Sequence, residues 1–351
     1  MAGEAAPKGK EPPAMEAWLY ETLQDQRVRC RLCSHMCRIG NGKRGLCGVR
    51  ENRDGVLETR VYGRLIAAGE DPIEKKPFFH LMPGSRSFSI ATVGCNFKCR
   101  FCQNADIAQM PADRDGMVTG DVATPQQVVA AAQDKRCASI AYTYTEPTVF
   151  FEFACDTAQL AHSQGIKNVF VTNGYMSAEA LQRISPWLDA ANVDLKAYSD
   201  EFYKRQCGAR LNPVKESLRR MKSLEIWVEV TTLVIPGLND DPGELSRLAT
   251  FIATDLGVET PWHVSRFHPT YQLTDRGSTP VETLIQAREI GMAAGLKYVY
   301  TGNVPGQGGE DTICSGCGQT VFSRQGFHIT DNRVKDGRCS GCGAVIHGIG
   351  M

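Results

Sequence analysis

Ser87-Phe-Ser-Ile-Ala-Thr-Val-Gly-Cys95-Asn-Phe-Lys-Cys99-Arg-Phe-Cys102 is the stretch from which the fold can be read. Its first half is a short run fit for a buried parallel strand, and its second half sets three thiols in the turn that follows. The same kind of strand recurs downstream, as Ala138-SIAYTY, Lys167-NVFVTN, Ala190-ANVDLKA, Ile226-WVEVTTLVI and Trp262-HVSRF, with helical patterns between. Thr124-Pro125, Asn212-Pro213 and Thr279-Pro280 each put a capping side chain before a proline at the first helical position, where a missing N–H costs nothing. Thr279-Pro-Val-Glu282 also has capping-box spacing. Alternation of β and α across residues 84–304 implies a parallel sheet, either doubly wound or closed as a full or partial barrel. In either case the site lies at the carboxyl ends of the strands, here Thr145-Glu146-Pro147, Asn173-Gly174, Asp194-Leu195-Lys196, Pro236-Gly237 and His268.

The chain has 351 residues and fourteen cysteines, and eleven of these fall into three groups. Cys30, Cys33, Cys37 and Cys47 form the first; Cys95, Cys99 and Cys102 the second; Cys314, Cys317, Cys339 and Cys342 the third. Cys137, Cys155 and Cys207 are scattered and read as small core residues. So many thiols in a chain without a secretion signal point to metal or redox chemistry rather than disulfides. Four thiolates close the shell of a tetrahedral metal or fill the corners of a cubane cluster. Three in C-x3-C-x2-C spacing wrap one cubane and leave its fourth iron for an outside ligand. The groups also mark three regions: a Cys-rich extension over 1–83, a barrel over 84–304 and a four-cysteine module over 305–351, entered through the linker-like Pro305-GQGGED.

Lys+Arg and Asp+Glu both number 39, a balance that excludes a generally basic nucleic-acid binder. No apolar run approaches the roughly 18–20 residues that cross a bilayer. The polar start, Met1-AGEAAPKGKEPP, reads as a frayed terminus, and the expected location is the cytoplasm.

The cysteine triad after a strand, with aromatic Phe101 before its last member, resembles the cluster loop of the radical S-adenosylmethionine superfamily. The resemblance implies a 4Fe-4S cluster on Cys95, Cys99 and Cys102, its open iron chelated by the amino and carboxylate groups of S-adenosylmethionine. One-electron reduction then yields methionine and a 5′-deoxyadenosyl radical that abstracts hydrogen. Tyr142-TYTEPT stands where the family often has Gly-Gly-Glu-Pro; Glu146 and Pro147 persist, while Tyr144 and Thr145 replace the glycines. Val171-Thr-Asn173-Gly174, Val193-Asp194-Leu195-Lys196, Val234-Ile-Pro236-Gly237 and Arg266-Phe267-His268-Pro269 are similar to segments of glycyl-radical-enzyme activases. By that resemblance Phe101, Glu146, Asn173, Asp194, Lys196 and His268 hold the cofactor.

Cys30-x2-Cys33-Ser-His35-x-Cys37, Gly45-x-Cys47-Gly-Val-Arg50-Glu-Asn52, Asp71-Pro-Ile-Glu-Lys-Lys-Pro77 and Trp227-VEVTTLVIPGLND extend the resemblance to one branch, the radical enzyme of the AmmeMemoRadiSam system. It implies AMMECR1- and Memo-like partners, a flavodoxin or ferredoxin as one-electron donor, and a protein, peptide or small-molecule substrate. A glycyl-radical-enzyme activase is the alternative reading. The fold expected is a partial (β/α)6-type TIM barrel with the Cys-rich N-terminal extension and a zinc-ribbon-like tail.

In the tail, Cys314-Ser-Gly-Cys317-Gly and Cys339-Ser-Gly-Cys342-Gly are paired knuckles suited to structural zinc, with rubredoxin-type iron or an auxiliary cluster as alternatives. The set Cys30, Cys33, Cys37 and Cys47 suits zinc or a second cluster, with His35 a competing ligand. Arg27, Arg29, Arg31, Arg38, Lys43, Arg44 and Arg50 around it lack interleaved aromatics and read as a solvated or partner-docking face, not a nucleic-acid site. A reading of another class, a non-catalytic iron–sulfur carrier or zinc-stabilised scaffold, accounts for the cysteines but not for polar residues at five strand ends.

Overall fold

The computed structural model of the chain describes residues 15–304, 306 and 308–351; the polar start and two residues of the expected linker, Pro305 and Gln307, lie outside them. One eight-stranded sheet organises the molecule: β1 (Ala67–Pro72), β2 (Arg86–Ala91), β3 (Ser139–Tyr142), β4 (Lys167–Thr172), β5 (Ala190–Asp194), β6 (Trp227–Val234), β7 (Trp262–Arg266) and β8 (Val299–Gly302). Order across the sheet equals order along the chain. A doubly wound sheet reverses its order at a switch point, and this one does not, so it is a barrel wall. Strands β2 to β8 run parallel, and β1 pairs antiparallel with β2. β1 and β8 are the two edges, which leaves the barrel open.

Six helices fill the parallel crossovers: α1 (Pro125–Asp134), α2 (Phe151–Ser163), α3 (Ala178–Ile184), α4 (Leu211–Ser223), α5 (Pro242–Phe251) and α6 (Val281–Ala293). The wall is therefore six strand–helix units and a closing strand. That last strand, β8, is only four residues long, and its Gly302 end reads in sequence as a barrel exit. β1 falls in the region expected to be an extension; its pairing with β2 makes it part of the central sheet. β3 is buried along its whole length, which is why it reads as a run rather than an alternation. Gly291 in α6 is held to glycine by close approach: a Cβ there would stand 2.8 Å from the ring of Trp262.

Of the expected helix starts, Thr124 forms a full capping box with Gln127. The other two are corrected. α4 begins at Leu211, with Arg210 as its N-cap and no side-chain cap from Asn212. α6 begins after Pro280, and Thr279 does not cap it: its hydroxyl accepts from Phe267 N–H at 2.9 Å and donates to the Val234 carbonyl at 2.6 Å. Buried backbone groups at two strand ends outcompete a local cap for that hydroxyl.

Two small three-stranded antiparallel sheets and the loops joining them occupy residues 15–59. They are fixed to α2 by an ion pair of Arg50 and Glu152 at 2.5 Å, both side chains 1% exposed. The C-terminal segment reaches both edges of the open sheet. Thr312 bonds Tyr300 of β8 at 2.9 Å, and Arg324 bonds the Phe79 carbonyl, in the loop after β1, at 3.0 Å. No helix among the described residues is long and apolar enough to cross a membrane.

Candidate active site

The turn after β2 carries Cys95, Cys99 and Cys102, and all three line a cavity of about 500 Å³ into which the ends of β3 to β8 also open. The turn is braced from outside. Lys98 N–H donates to the Cys207 carbonyl at 2.8 Å, Arg100 N–H to the Gln206 carbonyl at 2.9 Å, and Phe97 N–H to Cys95 Sγ at 3.3 Å. Cys207 is fully buried, as expected of a core residue, and its thiol neighbours that of Cys99; this neighbour, with burial, pushes the Cys99 thiol well above its ordinary range. Burial does the same to Cys95. Deprotonating such thiols needs a cation to replace lost water, and a metal centre supplies one.

Glu146, 1% exposed, is fully engaged. It accepts from Thr148 N–H at 3.0 Å and the hydroxyls of Thr148 and Thr172 at 2.5 and 2.7 Å, and its other oxygen accepts from Asn173 N–H at 2.8 Å. Burial raises its pKa even against these donors. Asn173 reaches the cysteine turn: its Nδ2 lies 2.7 Å from Asn96 Oδ1 and 3.8 Å from Cys95 Sγ. Asp194, the last residue of β5, and Lys196, just beyond it, form an ion pair at 3.0 Å. Burial opposes the Lys196 charge, but Asp194, Cys99 and Cys207 raise its pKa well above the usual value. Its ammonium stands 5.7 Å from the ring centre of Phe101, another residue of the wall. His268 lies elsewhere: it is exposed, bonded to Ser278 Oγ at 3.0 Å, and does not line the cavity.

At Tyr144, which replaces a family glycine, φ is +62°, a conformation that favours glycine. Three contacts hold it there. The phenol donates to Asp71 Oδ2 at 2.5 Å, Lys76 Nζ stands 4.0 Å from the ring centre, and Asn104 Nδ2 donates to the Tyr144 carbonyl at 2.7 Å. Lys76, 2% exposed, also pairs with Asp71 at 2.7 Å. Burial opposes the Asp71 charge, but bonds from Lys75, Lys76 and Tyr144 hold its carboxyl well below the usual range.

Sequence reasoning missed Lys76 as a wall residue, although Asp71-Pro-Ile-Glu-Lys-Lys-Pro77 stood out as a motif. It also missed His263, which lines the cavity from the middle of β7 and bonds Glu229 of β6 at 2.7 Å. The signal was a histidine and a glutamate inside otherwise apolar strand runs. From the C-terminal segment, Glu310, Gly326 and Phe327 complete the wall.

The two outer cysteine sets differ in geometry. All four sulfurs of Cys314, Cys317, Cys339 and Cys342 lie within 4.8 Å of one another, with 3.6 Å from Cys314 to Cys342 and 3.8 Å from Cys317 to Cys339. Bonds of about 2.3 Å to one tetrahedral ion put sulfurs about 3.8 Å apart, so this set fits a single ion. Cys30, Cys33, Cys37 and Cys47 instead surround a small cavity. Among the described residues only the C-terminal set gathers three or more ligand atoms at single-ion spacing. His35 Nε2 is taken by the Asn96 carbonyl at 2.8 Å.

Residues 89–249 match the family model described as the Radical SAM superfamily. The chain is 46% identical over 333 residues to the uncharacterized protein MJ0808 of Methanocaldococcus jannaschii, covering 94% of this chain and 98% of that one. It is 23% identical over 185 residues to the pyruvate formate-lyase-activating enzyme of Clostridium pasteurianum, covering 52% of this chain and 76% of that one. Among solved structures, Streptococcus suis SuiB bound to S-adenosylmethionine matches with a TM-score of 0.50 at 12% identity, over 65% of this chain and 52% of that one, a likeness of fold.

Proposed function

The chain belongs to the radical S-adenosylmethionine superfamily, and from that premise we propose that Cys95, Cys99 and Cys102 hold a 4Fe-4S cluster that binds S-adenosylmethionine in the strand-end cavity. The observation that carries this reading is three thiols on one wall of a cavity whose facing walls hold Glu146, Asn173, Asp194 and Lys196. When bound and reduced, the cluster supplies the electron that splits the cofactor into methionine and a 5′-deoxyadenosyl radical, which takes hydrogen from the substrate.

The chain's own residues bind, orient and exclude water. Asn173 holds the cysteine turn at Asn96 and Cys95 and turns its carbonyl oxygen away toward Tyr175 N–H, 3.1 Å distant. Glu146, saturated by four donors, locks the ends of β3 and β4 and so shapes the methionine end of the cavity. The Asp194–Lys196 pair offers a carboxylate and an ammonium to the ribose and carboxylate groups. His268, outside the wall, has no place in this scheme. The barrel over 84–304, extended at its edge by β1, carries the chemistry, and the rest of the two flanking regions encloses it, keeping the site dry as radical chemistry needs. The C-terminal set holds zinc in this reading, and the protein works in the reducing cytoplasm.

The electron comes from a flavodoxin or ferredoxin. The hydrogen donor is a protein, peptide or small molecule handled with AMMECR1- and Memo-like partners, a reading supported by the branch motifs. Relatives named as pyruvate formate-lyase-activating enzymes favour a second reading, a glycyl radical made on a partner protein. Anaerobic reconstitution, dithionite reduction and chromatography for 5′-deoxyadenosine test the core claim. The wild-type chain is expected to cleave the cofactor and Cys99→Ala to release none; an intact cluster without cleavage sinks the reading.

A further inference from the structure

We infer that Cys30, Cys33, Cys37 and Cys47 hold a second iron–sulfur cluster, and that it relays electrons to the Cys95 turn. The metal assignment stands by itself; the relay rests on the function proposed above.

The first observation is spacing. The C-terminal quartet has closed to the sulfur separation of one tetrahedral ion, and the N-terminal quartet has not. A cubane puts each thiolate on a different iron, so its sulfurs stand apart with room for a core between them. The N-terminal thiols line a small cavity of their own, together with Leu32, Ile39 and Val149 among others.

The second observation is a set of buried donors on residues that line the same cavity. Arg50 lines this cavity and is 1% exposed. One of its nitrogens, Nη2, bonds Glu152, while Nε and Nη1 are buried and without a hydrogen-bond partner. Asn96 Nδ2, in the same wall, is also buried and unpartnered. Orphaned buried donors cost about 1–3 kcal/mol each, more when charged, so three around one cavity imply an acceptor that belongs there. A cubane with four thiolates carries net negative charge and bears sulfides that accept N–H donors. It therefore satisfies the guanidinium edge that Glu152 does not reach.

The third observation is the partition between the two sites. Asn96 stands between the two: it lines the N-terminal cavity, and its neighbour Cys95 lines the other. Its carbonyl meets His35 Nε2 at 2.8 Å, and its Oδ1 meets Asn173, which reaches Cys95 Sγ. Gly94 has no room for a side chain: a Cβ would stand 2.6 Å from Val49 Cγ1 and 3.1 Å from the Cys47 carbonyl. On the outer side, Leu46 and Met36, beside Cys47 and Cys37, are 56% and 43% exposed, which brings the site within reach of a docked donor. In the relay a reduced flavodoxin- or ferredoxin-type protein loses one electron to the N-terminal cluster, which passes it to the cluster of the Cys95 turn. No bond or proton moves.

The full-length chain carrying Cys95→Ala, Cys99→Ala and Cys102→Ala, reconstituted anaerobically with iron and sulfide, tests the metal. About four iron and about four sulfide per chain are expected, with a 4Fe-4S electron paramagnetic resonance signal after reduction. Zinc at this set with no iron overturns the assignment. On the same background Arg50→Met is expected to move the midpoint potential to more negative values, because a positive charge beside the cluster is lost; an unmoved potential removes Arg50 from the site. For the relay, Cys33→Ala with Cys37→Ala is made in the otherwise native chain, with retained C-terminal metal and circular dichroism showing that it folds. Stopped-flow reduction of the remaining cluster by reduced flavodoxin is expected to slow by about tenfold or more. An unchanged rate overturns the relay and leaves the cofactor-cleavage reading untouched, since that is assayed separately with dithionite.

Discussion

The two ends of the chain each carry four cysteines, and they solve different problems with them. At the C-terminal end the sulfurs meet each other, two pairs at 3.6 and 3.8 Å, beneath a small cluster of Val321, Phe322 and Ile346. Five buried apolar or thiol residues are too few to fold a segment alone, so a metal held by the four thiols would supply the missing core. At the N-terminal end the sulfurs face a space, and Cys30 and its neighbours pack into the main core of the molecule. That region has an apolar core without any metal. Its four thiols are therefore free for a task other than folding, and equal cysteine counts conceal unequal roles.

The sharpest way to break this contrast is to remove one thiol from each end. Cys317→Ala is expected to lose the C-terminal metal and expose the tail, read as new proteolytic cuts within residues 305–351. Cys37→Ala is expected to lose iron and leave the tail resistant. If both variants unfold the tail, or neither does, the division is wrong.

A smaller effect separates the anchors. Glu152→Gln leaves Arg50 buried without its charge partner, and the expected loss is about 3–5 kcal/mol in a denaturant titration. That loss should be smaller in chains loaded with the N-terminal cluster, whose charge gives Arg50 a second partner. Arg324→Met, at the other end, removes charged bonds to the Phe79 carbonyl and Thr312 Oγ1, the latter at 2.7 Å. Each such bond is worth about 1.5–3 kcal/mol, and the loss is expected to be the same with or without iron.

The sequence made the strand-ends legible because parallel strands leave long apolar runs and because polar residues at their ends have few structural excuses. The triad, Glu146, Asn173 and the Asp194–Lys196 pair all come to the cavity from such ends. What stayed hidden came from elsewhere. Lys76 and Asp71 arrive from an antiparallel edge strand and the loop after it, which local patterning assigns to an extension. His263 lines the cavity from within β7, backed by Glu229 of β6, and only the curvature of the wall shows that its face is a cavity. Thr279 carries a cap signature, but the ends of β6 and β7 need its hydroxyl more. The spacing of the outer thiols, which separates a single ion from a cluster, is a matter of tertiary distance that the cysteine intervals do not encode.

The N-terminal side also reaches the cavity through charge, and this gives the finest test of how the two ends differ. Asp71 on β1 is held well below the usual carboxylate range; burial works against this, while Lys75, Lys76 and Tyr144 bring it about. A carboxyl whose folded pKa is depressed adds stability that is fully present above its unfolded value, about 3.9, and is lost as pH falls through the lower folded value. Asp71→Asn removes that contribution and leaves Lys76 without its partner. The variant is therefore expected to be less stable than wild type at neutral pH, and the gap should narrow as pH drops below about 4. Comparing the two chains cancels acid effects they share, including loss of metal. Of the C-terminal residues in the same wall Glu310 is charged, but Gly326 and Phe327 carry no charge. Phe327→Ala should leave the pH dependence of unfolding parallel to wild type, and a gap that narrows there as it does for Asp71→Asn would show that the acid response does not come from the N-terminal side.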